Sequence, residues 1–146
     1  MKRTFLILSF IFIALTSCNK IDINEINHSI TISEYSLSNP NSVGGRDLYI
    51  TLKNNSPKRI KYVTLKGNFY NNVNDKVACE VRGYGLNVKI TGPLAPGEEK
   101  RYVWDCIVYN YTATRVDIDY ALIEYMDGKE LEIPEEYISA ILERGR

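Results

Sequence analysis

The sequence predicts an all-β sandwich, and three observations lead there. Apolar and polar residues alternate in about eight short runs. The runs recur roughly every ten residues, and clusters of Gly, Pro and Asn separate them. Strand-favouring residues are abundant, with 11 Tyr and frequent Ile, Val and Thr. The 146 residues are 45% hydrophobic and 25% charged, which excludes wholesale disorder and fits one domain with short extensions. Lys plus Arg and Asp plus Glu each number 18. With neither a basic excess nor a basic stripe, no nucleic-acid partner is expected. One His and three Cys leave little for a metal cluster or a His-based catalytic apparatus. No metal, no cofactor and no enzymatic activity are therefore expected.

At the N-terminus, Lys2 and Arg3 precede an apolar run over residues 4–15. A membrane-spanning helix needs about 20 apolar residues. The run is too short for that and predicts a cleaved signal helix over residues 1–17. Leu15-Thr16-Ser17-Cys18 resembles the lipobox of bacterial lipoproteins. In that family the signal is cut before the Cys, whose thiol carries a diacylglycerol and whose new amino group is acylated. The resemblance implies lipidation at Cys18 and a membrane partner through that lipid. Acyl chains add about 0.8 kcal/mol per buried methylene, and more than one chain anchors stably. Asn19 follows Cys18 where some inner-membrane lipoproteins carry Asp. That favours the outer membrane, at its periplasmic or surface face. Removal of Lys2 and Arg3 with the signal leaves the mature chain mildly acidic.

Residues 18–27 read as a lipidated tether, polar with isolated Ile. At about 3.3 Å per residue it would hold the domain roughly 30 Å from the bilayer. Ile26, His28, Ile30 and Ile32 alternate and predict the first strand, with the sandwich spanning residues 28–133. Asn39-Pro40-Asn41-Ser42 and Gly44-Gly45 form a loop. Leu48, Ile50 and Leu52 mark the next strand, and Asn54-Asn55-Ser56-Pro57 a turn. Residues 60–70 form the longest strand, with Val63, Leu65 and Phe69 sharing a face. Residues 71–75 turn it back, and Val77, Cys79 and Val81 alternate on another strand. Gly83-Tyr84-Gly85 breaks that run before a short strand at 86–90. The two Pro and two Gly of residues 91–98 predict a rigid hairpin connection. Tyr102, Trp104 and Cys106 alternate on the strand after it, and Val116, Ile118, Tyr120 and Leu122 on the next. Asp127-Gly128 predicts a tight hairpin back to residues 129–133. Pro134-Glu135-Glu136 opens a short C-terminal helix expected through about Leu142, within the tail of residues 134–146.

Several motifs carry a resemblance over residues 45–133. They are Lys61-Tyr62-Val63, Phe69-Tyr70-Asn71, Asp75-Lys76-Val77, Arg82-Gly83, Thr91-Gly92-Pro93, Pro96-Gly97-Glu98, Trp104, Tyr109-Asn110 and Tyr125-Met126-Asp127-Gly128. Together they resemble immunoglobulin-like domains of bacterial lipoproteins and secreted proteins. Phe69-Tyr70-Asn71 is similar to the Phe-x-Leu-Tyr-Asp signature of the FxLYD domain, with Asn in place of Asp and a different hydrophobic spacing. The resemblance implies an immunoglobulin-like antiparallel sandwich of about seven to eight strands. It transfers no catalytic residue, and fold analogy alone licenses no function.

The remaining candidates are weighed against plainer readings. Cys79 and Cys106 form a candidate disulfide in an oxidising compartment, against two buried free thiols. A bridge across about 27 residues would stabilise by roughly 3–4 kcal/mol. His28 lies near the tether and reads as a surface histidine rather than a catalytic base. Asp117 and Asp119 alternate on one strand, as an acid pair or calcium ligands would. A solvated face beside Arg115 is the plainer reading. Trp104 reads as a core residue, whereas Tyr84, Tyr109 and Tyr111 are candidate ligand contacts.

A lipid-anchored, non-catalytic binding or assembly module of the bacterial cell envelope is expected, with an envelope protein or a glycan as partner. The alternative is a carbohydrate-binding or adhesion lipoprotein using those exposed aromatic rings.

Overall fold

The computed structural model describes residues 21–83 and 85–143. The signal segment, Cys18, Tyr84 and residues 144–146 lie outside the described residues. The chain runs α1 (Ile23–Asn27), β1 (Ile30–Leu37), β2 (Gly45–Asn54), β3 (Ile60–Tyr70), β4 (Lys76–Val77), β5 (Leu86–Leu94), β6 (Glu99–Tyr109), β7 (Arg115–Tyr125), β8 (Glu130–Ile133) and α2 (Glu135–Ile138). No helix among the described residues is long and apolar enough to cross a membrane.

Period-two patterning assigns each strand an inner face, and the two inner faces meet. One sheet has the order β1-β2-β6. In the other, β3 pairs with β7 on one side and with β4 and β5 on the other, and β8 continues beyond β7. All strand pairs are antiparallel. Putting the first, second and fifth long strands against the rest gives an immunoglobulin-like sandwich whose fourth long strand has crossed to the second sheet. Leu48, Ile50 and Leu52 face Val63, Leu65, Phe69, Val88, Ile90 and Ile123 across the core. Full burial of each such side chain contributes about 1.5–3 kcal/mol.

Gly67 shows where register bends. The β3–β7 pairing slips between Lys66 and Gly67, and a Cβ on Gly67 would lie 2.0 Å from the Asp117 carbonyl oxygen. Only glycine permits that approach.

Four segments differ from the sequence expectation. Residues 23–27, expected in the tether or at the start of the first strand, form a helix. The Asp22 carboxylate accepts the Asn24 N–H at 2.9 Å, capping the helix start, and Ile26 is fully buried. The alternation from Ile26 to Ile32 thus spans a helix-to-strand junction. The strand expected through Val81 stops at Val77. There the Cys79 and Gly83 amides and carbonyls exchange two hydrogen bonds, at 2.8 and 2.9 Å, closing a turn with Gly83 at φ 80°. The hairpin expected over 91–98 is narrower. β5 runs to Leu94, and only residues 95–98 reverse the chain, with the Glu98 N–H on the Ala95 carbonyl. The C-terminal helix ends at Ile138, and the chain then runs beside β1. Ile32 N–H donates to Ile141 O at 2.7 Å, and Glu143 N–H donates to Ile32 O at 2.9 Å.

Strand direction gives the sandwich two poles. α1, the 55–59 turn, the 95–98 turn and the β7–β8 turn share one pole. The 38–44, 71–85 and 110–114 loops share the other.

Candidate functional site

The loop pole is built around a buried cation. Arg46 has the same period-two phase as Leu48, Ile50 and Leu52, so it enters the interior at the start of β2. It is 7% exposed, and no carboxylate among the described residues forms an ion pair with it. Its guanidinium instead binds three backbone carbonyls. Nη1 donates to Ser38 at 2.9 Å, Nη2 to Tyr111 at 2.8 Å and Nε to Asn110 at 3.3 Å. Burial lowers its pKa below the ordinary arginine value. One side chain thereby ties the 38–44 loop to the 110–114 loop.

Three asparagines stiffen the same loops in the same way. The Asn41 side-chain oxygen accepts the N–H groups of Val43 and Gly45. Asn71 does so for Val73 and Asp75, and Asn110 for Thr112. Asn110 Nδ2 also donates to Ala78 O at 2.9 Å, joining the 71–85 loop to the cluster. These side chains replace backbone partners that a tight loop cannot supply. The loops hold four large apolar side chains out in solvent. Val43, Val73, Val81 and Tyr111 are 65%, 73%, 71% and 56% exposed. Each sits beside an anchored turn, so their display costs little additional ordering on contact.

Cys79 and Cys106 stand as free thiols in this structure, Cys79 buried and Cys106 half-buried. The sulfurs are engaged elsewhere. Cys79 Sγ accepts the Tyr109 N–H at 3.3 Å. Burial pushes this thiol up, but backbone N–H groups of Tyr109, Val81 and Arg82, with the Arg82 charge, outweigh it and lower the pKa. Cys106 Sγ accepts Asn41 Nδ2 at 3.6 Å. Its backbone adopts φ 48°, and its N–H donates to Asp47 Oδ1 at 2.8 Å. A hydrogen bond with Cys106 raises the Tyr109 phenol.

The other candidates have structural partners. His28 caps the end of α1, with Nδ1 2.8 Å from Asn24 O, far from the loop pole. Asp117 makes a two-pronged pair with Arg115, Nε–Oδ1 at 2.8 Å and Nη2–Oδ2 at 2.9 Å. That pairing raises the Arg115 pKa. Asp119 Oδ2 accepts Asn68 Nδ2 at 2.7 Å instead. Among the described residues, no group of three or more His, Cys, Asp or Glu is arranged to hold a metal ion.

The aromatic rings are largely covered. Trp104 is half-buried against the core, 6.3 Å from Tyr102. Lys89 sits 3.8 Å from the Tyr62 ring centre, Lys66 4.6 Å from Tyr120, Arg101 4.6 Å from Tyr49 and Arg115 4.9 Å from Tyr70. These cations occupy ring faces on which a sugar would stack. Tyr109 is half-buried. Tyr111 is exposed, but its hydroxyl donates to Ser42 O at 2.7 Å and its ring closes on Gly44. Of the three tyrosines singled out in the sequence, Tyr111 alone is an exposed ring among the described residues.

Two features escape a reading by motif. Arg46 was legible by phase, since it extends the inward series of β2. The second is an open cleft of ≈ 460 Å³ between residues 33–37 of β1 and residues 114–117 at the start of β7. Its existence depends on where the tail leaves β1, which local sequence does not encode.

No protein-family model matches the chain, and no curated protein matches it either. Among solved structures it is similar to a DUF1425 family member from Shewanella sp. pv-4, with 18% identity and a TM-score of 0.41, over 61% of this chain and 73% of that one.

Proposed function

We propose that this protein is a lipid-anchored, non-catalytic binding module of the bacterial cell envelope, held through Cys18 and presenting its loop pole to a partner. The observation that carries this reading is the polarity of the sandwich. The chain enters at the α1 pole, where Ile21, Ile23 and Met126 are exposed, and the more exposed Val43, Val73 and Val81 stand with Tyr111 at the other. Asp22 caps α1 only four residues beyond Cys18, so the domain begins within roughly 13 Å of the anchor. An anchored domain would therefore turn its loops away from the lipid. The residue after the lipidated Cys, Asn19, favours the outer membrane. A glycan ligand is the second reading, and the exposed Tyr111 ring supports it.

The test has two parts. Cys18→Ala should leave an unprocessed chain without lipid label, and normal labelling would overturn the anchor. Cross-linking in intact envelopes should capture a partner from the native chain. The same capture from a Val73→Ser, Val81→Ser, Tyr111→Ser variant would overturn the loop pole as its contact.

A further inference from the structure

We infer that the outer edge of β1 at Tyr35 and Leu37 takes up an extended basic peptide, laid as an added strand into the cleft between β1 and the start of β7. The inference rests on the binding-module reading and goes beyond it, adding to the loop pole a second surface with its own class of partner.

The backbone phase of β1 makes the edge available. Ser38 N–H donates to Asp47 O at 2.9 Å, and the register continues through Ser36↔Tyr49 and Glu34↔Thr51. Antiparallel pairs alternate between bonded and non-bonded. Tyr35 and Leu37 therefore turn their N–H and C=O groups away from β2. Below the register shift between Ile32 and Glu34, Ile32 does the same, and there Ile141 and Glu143 take both groups. The same edge thus already accepts a strand, in parallel orientation, through Ile32↔Leu142. Above that point, no described residue pairs with it.

Room and chemistry agree. The ≈ 460 Å³ cleft adjoins one of ≈ 280 Å³, and the two share Tyr35 and Asp117. Tyr35 and Leu37 pack against the core and give the cleft an apolar floor. Its walls carry Glu34, Asp117, Glu135 and Glu143 against Arg115. Glu34 is paired with Arg101 and Asp117 with Arg115. Glu135 and Glu143 enter none of the ion pairs among the described residues. Among the described residues, two carboxylates without a cationic partner thus lie beside backbone donors and acceptors without a strand partner, which suits a lysine- or arginine-bearing strand. Two other edges carry charge. Asn54 N–H on Glu98 O turns Glu99 and Arg101 to the outer side of β6, and β8 carries Glu130 and Glu132. Charges at such positions deter strand addition.

The probe is an amidated heptapeptide alternating lysine with valine and threonine. Its control replaces each lysine with glutamate. Both are titrated into the detergent-purified, isotope-labelled full chain, with amide shifts and amide exchange as readouts. The lysine peptide should shift and protect the Tyr35 and Leu37 amides. Glu143→Lys with Glu135→Lys should weaken it about fivefold or more, and Leu37→Pro should abolish it. The surface charge variant keeps the test valid if Leu37→Pro fails to fold. Equal binding of the glutamate peptide, or binding indifferent to the charge variant, overturns the inference. So does peptide-free protection of Tyr35 and Leu37. If that protection vanishes when the chain ends at Glu143, the chain's own residues 144–146 are the occupant. If it grows with protein concentration, a second copy is. None of these outcomes touches Cys18 labelling, so failure here leaves the anchor reading standing.

Discussion

Arg46 reaches the Tyr111 carbonyl through Nη2 at 2.8 Å, joining the end of one sheet to a loop between the two. With Ser38 and Asn110 it satisfies three carbonyls around one buried charge. Each charged hydrogen bond of this kind contributes about 1.5–3 kcal/mol net, and each orphaned carbonyl costs a similar amount.

Arg46→Met should therefore destabilise the domain by about 3 kcal/mol or more. Urea unfolding monitored by Trp104 fluorescence measures it. Amide exchange should rise first in residues 38–44 and 110–114. A loss under about 1 kcal/mol would mean that water replaces the guanidinium without cost.

Gly67→Ala should cost about 3 kcal/mol, because the new Cβ meets the Asp117 carbonyl oxygen. Gly128→Ala has no neighbour within 4 Å and meets only the strain of φ 84°, about 1 kcal/mol. The ranking of the two, by thermal unfolding, separates steric contact from backbone strain.

Asp127 accepts Lys58 Nζ at 2.8 Å and the Lys129 N–H at 3.0 Å. The Lys58 contact first, then the Lys129 amide, lowers its pKa below the ordinary carboxylate value. A lowered folded-state pKa stabilises above the unfolded pKa, and the gain is lost as pH falls through the folded one. The native domain should lose this contribution only in acid, below about pH 4. Asp127→Asn keeps the turn acceptor but not the charge, so its stability difference from the native chain should shrink toward zero on acidification. A difference constant from neutral to acid pH would refute the assignment.

Ile26→Ala should cost about 3 kcal/mol, since Ile26 is fully buried against the core. Ile23→Ala, on the exposed side of α1, should change stability by less than about 0.5 kcal/mol. Equal and small effects would mean that residues 22–27 behave as a tether after all.

The strands were legible because burial on one face imposes a period of two on residues such as Leu48, Ile50 and Leu52, and nothing competes with that signal. Their turns were legible where chemistry is local, as at Asp127-Gly128. α1 was not, because a five-residue helix leaves too few turns to show a period, and Ile26, His28 and Ile30 fall into step with a strand by chance. The stop at Val77 depends on Gly83 pairing back to Cys79, a choice that alternation over Val77, Cys79 and Val81 conceals. Of the proposed contact residues, Tyr111 was legible as a loop aromatic. Val43, Val73 and Val81 were not, since exposure at one pole arises only when three distant loops converge. The state of the two cysteines is likewise tertiary. Strand phase turned both inward but said nothing of Tyr109 and Asn41 as their partners.

The bonds from Ile32 to Ile141 and Glu143 also impose an order of events. The lower edge of β1 gains this partner only once residues 141–143 are in place. Until then its edge stays open and its inward isoleucines lack part of their cover. Contacts so far apart in sequence form late, so the rigidity of this edge follows the folding of the sandwich rather than preceding it.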